Sequence, residues 1–194
     1  MKKLIFTFLF ISIAALGQEF NLEIHKTSLF DYIKIEEKLG SIRLENESRY
    51  YSGEGIAQPI RFLRKEEGIP NCIVSYQFYE KDSALTQIEY EWDVYNFEKQ
   101  DNNQKSEEFE KELISKYENL KKEISKKLGQ PTTKNNYSNL AKYKQELFFE
   151  ENATWKPNDT TKVELYITVS NYYEKRGMVT INPVHRIRLY IMKI

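Results

Sequence analysis

The amino-acid sequence predicts an α+β fold, a mostly antiparallel sheet of six to eight strands with one long helix packed across a face and a shorter N-terminal helix. Three observations carry that expectation. Four stretches alternate apolar and polar residues, one long stretch repeats apolar residues every three or four, and 14 Tyr and 11 Phe stand against only 7 Gly and 5 Pro. Alternation marks strands with one packed face. Spacings of three and four mark an amphipathic helix, and aromatic content favours a pleated surface.

The N-terminus reads as an address. Met1-Lys2-Lys3 is followed by an apolar run from Leu4 to Leu16, then by Gly17 and Gln18. This is the pattern of a cleavable export signal, with cleavage expected between Gly17 and Gln18. The run is too short for a bilayer, which needs about 20 apolar residues. Residues 1–17 are therefore expected to be removed, leaving a single α+β domain over 18–194 in the periplasm or outside the cell. A chain of this size buries roughly 70% of its extended surface and can build a core without staples. Cys72 is the sole cysteine, so no internal disulfide is expected. No later apolar run approaches membrane-spanning length, so no transmembrane segment is expected in the mature chain.

The elements follow in order. Ser28 reads as a helix cap, with Leu29, Tyr32, Ile33, Glu36 and Leu39 on one side and Gly40 as the stop. Strands are expected at about 42–51 and around Ile60, Phe62 and Arg64. Cys72, Val74, Tyr76 and Phe78 alternate with Ile73, Ser75, Gln77 and Tyr79, and Ile88, Tyr90, Trp92 and Val94 alternate with Gln87, Glu89, Glu91 and Asp93. With the turn Lys81-Asp82-Ser83 between them, they predict a long antiparallel hairpin.

After a polar connector, 96–105, the strongest helix runs from Ser106 to Leu128. Phe109, Leu113, Tyr117, Leu120, Ile124 and Leu128 form its apolar stripe. Glu107/Lys111, Glu112/Lys116, Glu118/Lys122 and Glu123/Lys127 are spaced four apart in the favourable direction. Acidic residues crowd its start and lysines its end, both opposing the helix dipole. Gly129 and Pro131 end it.

The last third returns to strands. One bent strand or two short ones are expected over 147–156. Val163–Val169 and Ile187–Ile191 alternate strictly. Residues 171–185 between them are either a functional loop or a longer hairpin that turns at Asn182-Pro183. A short echo, Ile35–Gly40 against Ile124–Gly129, admits tandem helix-then-strands halves (28–95 and 106–194) or ordinary helix-end chemistry. The Leu128-Gly129-Gln130-Pro131 ending resembles one seen in outer-membrane assembly lipoproteins. The resemblance covers those four residues alone and implies no function.

Candidate chemistry is sparse. Basic and acidic residues balance at 29 each, so the excess expected of a nucleic-acid binder is missing. The sequence contains no nucleophile elbow, zincin helix or phosphate loop. One cysteine and two distant histidines, His25 and His185, make a poor zinc set. No catalytic, cofactor or metal-binding residue is assigned. Glu89, Glu91 and Asp93 share one strand face about 7 Å apart, a spacing that suits a solvated face better than a calcium site. Cys72 falls on the packed face, where a thiol acts as a small hydrophobe. The N-x-[ST] triplets at Asn46, Asn136, Asn152 and Asn158 carry no meaning behind a bacterial signal.

The residual signal is aromatic. Tyr50-Tyr51, Trp155 and Tyr172-Tyr173 lie near strand ends or loops, among polar residues that suit a binding surface. Trp155, Tyr172, Tyr173 and Arg176 are the candidate partner-binding residues, and the partner expected is a protein or a glycan. The function expected is that of an exported, non-enzymatic binding or inhibitor/immunity-type module of the bacterial envelope. The alternatives are an envelope hydrolase whose site is assembled only in space and a structural subunit of a surface assembly.

Overall fold

Two serines fix where the helices begin. The computed structural model describes residues 20, 22–45, 54–134 and 148–194. Ser28 caps α1 (Leu29–Lys38) by accepting from the Asp31 N–H, and Ser106 caps α2 (Glu107–Leu128) by accepting from the Phe109 N–H. Each cap satisfies an amide that a helix start leaves orphaned. Leu39, placed by its spacing on the packed stripe, is exposed because α1 ends one residue before it.

The described residues form ten strands: β1 (Ile42–Leu44), β2 (Ile60–Arg64), β3 (Cys72–Phe78), β4 (Leu85–Asp93), β5 (Thr132–Lys134), β6 (Phe149–Asn158), β7 (Thr161–Ser170), β8 (Glu174–Arg176), β9 (Val179–Ile181) and β10 (Val184–Lys193), with the expected alternation clearest in β7 and β10. Eight form one sheet in the order β1-β2-β3-β4-β10-β7-β6-β5, every neighbouring pair antiparallel. The fold is α+β as the sequence predicts, with the sheet at the top of the expected strand range.

Each half supplies one helix and then four strands of this sheet, α1 with β1–β4 and α2 with β5, β6, β7 and β10. The final strands of the two halves, β4 and β10, meet at the centre. One hydrophobic cluster spans both halves.

Register places the core on one face. Ile187 opposes Trp92 and Ile167, and Leu189 opposes Tyr90 and Leu165. Phe62 opposes Val74, and Trp155 opposes Val163. All are buried. On this face Leu113, Tyr117, Leu120 and Ile124 of α2 and Leu29 and Tyr32 of α1 pack. The opposite face carries no helix among the described residues and displays the alternate, polar positions.

Several lysines of α2 reach outside the helix. Lys111 pairs with Glu107 as its spacing predicts. Lys116 bonds Glu66 at 3.0 Å, and Lys121 bonds Glu118 and, at 2.7 Å, Glu151 of β6. These contacts fasten the helix to the loop between β2 and β3 and to the sheet.

Some expected features lie outside the described residues: the signal segment with Gly17 and Gln18, Tyr50 and Tyr51, the triplets at Asn46 and Asn136, and positions 46–51 of the expected strand at 42–51, which is observed over Ile42–Leu44 and is no longer strand at Glu45. The strand over 147–156 is one ten-residue element, β6, whose register with β7 shifts after Trp155. No helix among the described residues is long and apolar enough to cross a membrane.

Candidate functional site

The central strands β4, β7 and β10 bring three connections to one end of the sheet. Arg186 opposes Asp93, and Val184 opposes Ser170. The end of β4, the end of β7 and the start of β10 are therefore neighbours. From this end projects an arm, the hairpin of β8 and β9, which forms a two-stranded sheet separate from the main one.

Its tip is Gly177-Met178, and Gly177 has a positive φ of 60°. A two-residue hairpin turn needs that conformation at its first central position, and glycine adopts it without steric cost. The 171–185 segment is thus a hairpin, but it turns at Gly177-Met178 and not at Asn182-Pro183, and its two strands pair in a sheet of their own.

The base of the arm is clamped. Asn171 accepts from the Lys105 N–H and donates to the Lys105 carbonyl, both at 2.8 Å, while Gln104 donates to the Asn171 carbonyl at 3.0 Å. Tyr172 donates to Glu174 at 2.6 Å, and Glu174 also takes the Arg176 Nε–H. The hydrogen bond to the Glu174 carboxylate pushes the Tyr172 hydroxyl up, and both Tyr172 and Arg176 lie at the surface. Their hydrogen bonds set the arm's geometry more than its stability.

Eleven large apolar side chains are exposed among the described residues, and six of them belong to this end: Tyr95, Phe97, Tyr172, Met178, Val179 and Ile181. Met178 is 104% exposed. Scattered singly, such residues need no explanation; here more than half of them share one end of the sheet.

Beside the arm, the open face of the sheet forms a cleft of about 620 Å³. Its floor is the outer face of β2, β3, β4 and β10. Its walls are Val94–Asn96 with Asn103 on one side and Asn182–Val184 on the other. The acidic row Glu89, Glu91 and Asp93 lies on this floor. It is not a bare solvated strip: Arg188 Nε donates to Glu91 at 2.5 Å and lies 3.8 Å from Glu89, and Arg186 lies 3.6 Å from Asp93. Burial and the neighbouring Glu91 charge push the carboxyls of both Glu89 and Asp93 above their ordinary range, against the pull of the arginines. Among the described residues no group of three His, Cys, Asp or Glu could hold a metal ion.

Three further polar groups are buried on the helix face. Glu36 meets Arg64, Tyr76 and Ser41; Glu151 takes the Tyr117 hydroxyl at 2.9 Å and Lys121 at 2.7 Å; and His185 Nε2 lies 3.2 Å from Glu110. These groups tie helices to strands. Cys72 is fully buried as its alternation predicts, and that burial pushes its thiol up.

The sequence-selected residues divide. Tyr172 and Arg176 lie exposed on the arm, and Tyr173 is half-buried at its base. Trp155 corrects the expectation. It is 2% exposed, its ring faces the core, and its Nε1–H donates to the Gly129 carbonyl at 2.9 Å. A buried indole needs such an acceptor, and this one leaves no ring surface for a partner.

The cleft was not foreseen, because it depends on β10 lying beside β4. One signal was present: Arg186 and Arg188 alternate with Ile187 and Leu189, and an outward basic row complements an outward acidic one on a neighbouring strand. The chain matches no protein-family model, no curated protein and no solved structure.

Proposed function

We propose that this chain is an exported, non-enzymatic binding module of the bacterial envelope, of the inhibitor or immunity type, and that it holds a protein partner at the arm end of its sheet. The observation that carries this reading is the gathering of six of the eleven apolar side chains exposed among the described residues at that end, four of them on an arm whose base is hydrogen-bonded in place. A clamped arm loses little freedom on binding, which favours affinity. Apolar side chains ringed by Lys175, Arg176 and Glu174 match the apolar centre and polar rim of protein interfaces.

The test is co-purification of the tagged, full-length product from its native envelope. The wild-type protein is expected to carry one stoichiometric protein. A Met178→Ser, Val179→Ser, Ile181→Ser variant is expected to lose it, with affinity down at least ~10-fold and an unchanged melting temperature. Equal retention by both proteins, or reproducible substrate turnover by the purified chain, would overturn the reading.

Export is tested separately, by N-terminal sequencing of the same material. The mature chain is expected to start at Gln18. An intact Met1 on most molecules would remove the envelope from the proposal.

A further inference from the structure

We propose that the cleft on the open sheet face is a binding site for a neutral saccharide. This inference concerns the cleft and not the arm; Tyr95 borders both surfaces, and the inference stands whether or not the arm holds a protein.

The charge of the cleft selects the ligand class. Arg61, Arg186 and Arg188 face Glu89, Glu91 and Asp93 across it, so the lining is formally neutral. Arg188 and Arg186 already pair with carboxylates of β4. An incoming anion would meet those three carboxylates, and a cation would meet the three guanidinium groups. Either would have to split a pair whose removal from water has already been compensated. A neutral polyhydroxyl ligand has no such conflict. Each hydroxyl both donates and accepts, so it can give to a carboxylate oxygen and take from a guanidinium N–H. The Arg188 guanidinium carries five donors, of which its 2.5 Å contact with Glu91 uses the Nε–H.

The wall is fixed in advance. Asn96 Nδ2 donates to Glu91 at 2.7 Å, and the Tyr95 N–H donates to Asp93 at 2.9 Å. Both bonds lock the short 3-10 turn (Val94–Asn96) against the floor. Preorganisation of this kind reduces the ordering cost of binding a small, polar ligand. The turn also presents Tyr95 at the mouth of the cleft with its ring exposed. An exposed tyrosine offers an apolar face to the C–H side of a sugar ring and a hydroxyl to its polar edge. The Gln77 and Asn182 amides and the Ser75 hydroxyl add uncharged hydrogen-bonding groups to the lining. The volume, about 620 Å³, lies within the range of small-molecule sites.

The test is isothermal titration of the mature protein with chitotriose and with maltotriose, beside citrate and spermidine as an anion and a cation. At least one trisaccharide is expected to bind with roughly millimolar affinity. Raising salt from about 50 to about 500 mM should change that affinity less than about twofold, because no net charge is neutralised. Tyr95→Ala, at an exposed position, should weaken it about tenfold without changing the melting temperature.

Three results would overturn the proposal: no saturable binding of either trisaccharide up to about 20 mM, trisaccharide binding that Tyr95→Ala leaves unchanged, or salt-sensitive binding of citrate or spermidine in place of the saccharide.

Discussion

Alanine at Glu36 is expected to remove about 3–5 kcal/mol of folding stability, the range seen when one partner of a buried ion pair is deleted. Glu36 is fully buried, and its carboxylate collects four hydrogen bonds. Arg64 donates twice, at 2.6 and 3.0 Å, Tyr76 donates at 2.5 Å and Ser41 at 2.6 Å. These bonds join α1 to β2 and β3. Without the carboxylate, the buried Arg64 guanidinium would lose its charged partner and keep the face of Tyr90, 5.2 Å away. A domain of this kind has about 5–15 kcal/mol in total, so the loss is a large share.

The paired substitution Glu36→Leu with Arg64→Met should recover most of it, since apolar side chains of similar volume often replace buried ion pairs without loss. Urea unfolding measures both. A cost below about 1 kcal/mol for Glu36→Ala would mean that the cluster is not the clasp its geometry describes.

The pH dependence supplies an independent check. Burial acts to raise the Glu36 carboxyl, but the bonds and charge of Arg64, with Ser41 and Tyr76, outweigh it and hold the group below its ordinary 4.5. A depressed carboxyl contributes stability that is present above the unfolded value and is lost as pH falls through the folded one. Glu89 and Asp93 act with the opposite sign. Their raised carboxyls favour the folded state below their unfolded values, 4.5 and 3.8, and that contribution fades as pH rises through the folded ones. Stability should therefore peak at mildly acidic pH, then fall steeply in acid. In Glu36→Ala the steep acid limb should flatten while the decline toward neutral pH remains.

What the sequence discloses, and what it hides, follows from range along the chain. The stripe of α2 and the alternation in β3, β4, β7 and β10 are local, period-matched signals. They locate these elements to within a few residues. Strand order is not local: nothing within β4 alone says that β10 lies beside it, so the cleft is not legible, and the Arg–carboxylate ladder shows only as complementary outward rows on two separate strands. Buried polar groups break the apolar pattern from the other side. Glu36 falls on the apolar side of its helix, yet only the bonds from Arg64 explain why it can be there. In β6 the packed positions are Phe149, Glu151, Ala153 and Trp155. The carboxylate and the methyl group at the middle two disguise one strand as fragments. The arm was half legible: Met178–Ile181 reads as strand, but the clamp of Asn171 on Lys105, which lies 66 residues away, has no signature in sequence.

The burial of Trp155 is hidden for the same reason, and its substitution should show how much it holds. Trp155→Ala is expected to cost about 3–5 kcal/mol, the range for deleting a buried large aromatic side chain. Two separate losses contribute. The ring fills the core beside Val163, its cross-strand partner on β7. Its Nε1–H also serves the Gly129 carbonyl at the end of α2, where a helix leaves its last carbonyls without intrahelical partners. Trp155→Phe separates the two, because it keeps most of the apolar volume and deletes the donor. That variant should lose about 1 kcal/mol from the hydrogen bond, plus a smaller packing term. Amide exchange should quicken in the last turn of α2 in both variants, while the first turn, capped by Ser106 at the far end, keeps its protection. If the phenylalanine and alanine variants were equally destabilised, the packing term would be negligible and Trp155 would act only as a cap. If neither lost more than about 1 kcal/mol, the junction of α2 with β6 would not be part of the cooperative core, and the helix would be held to the sheet chiefly through Leu113 and Tyr117.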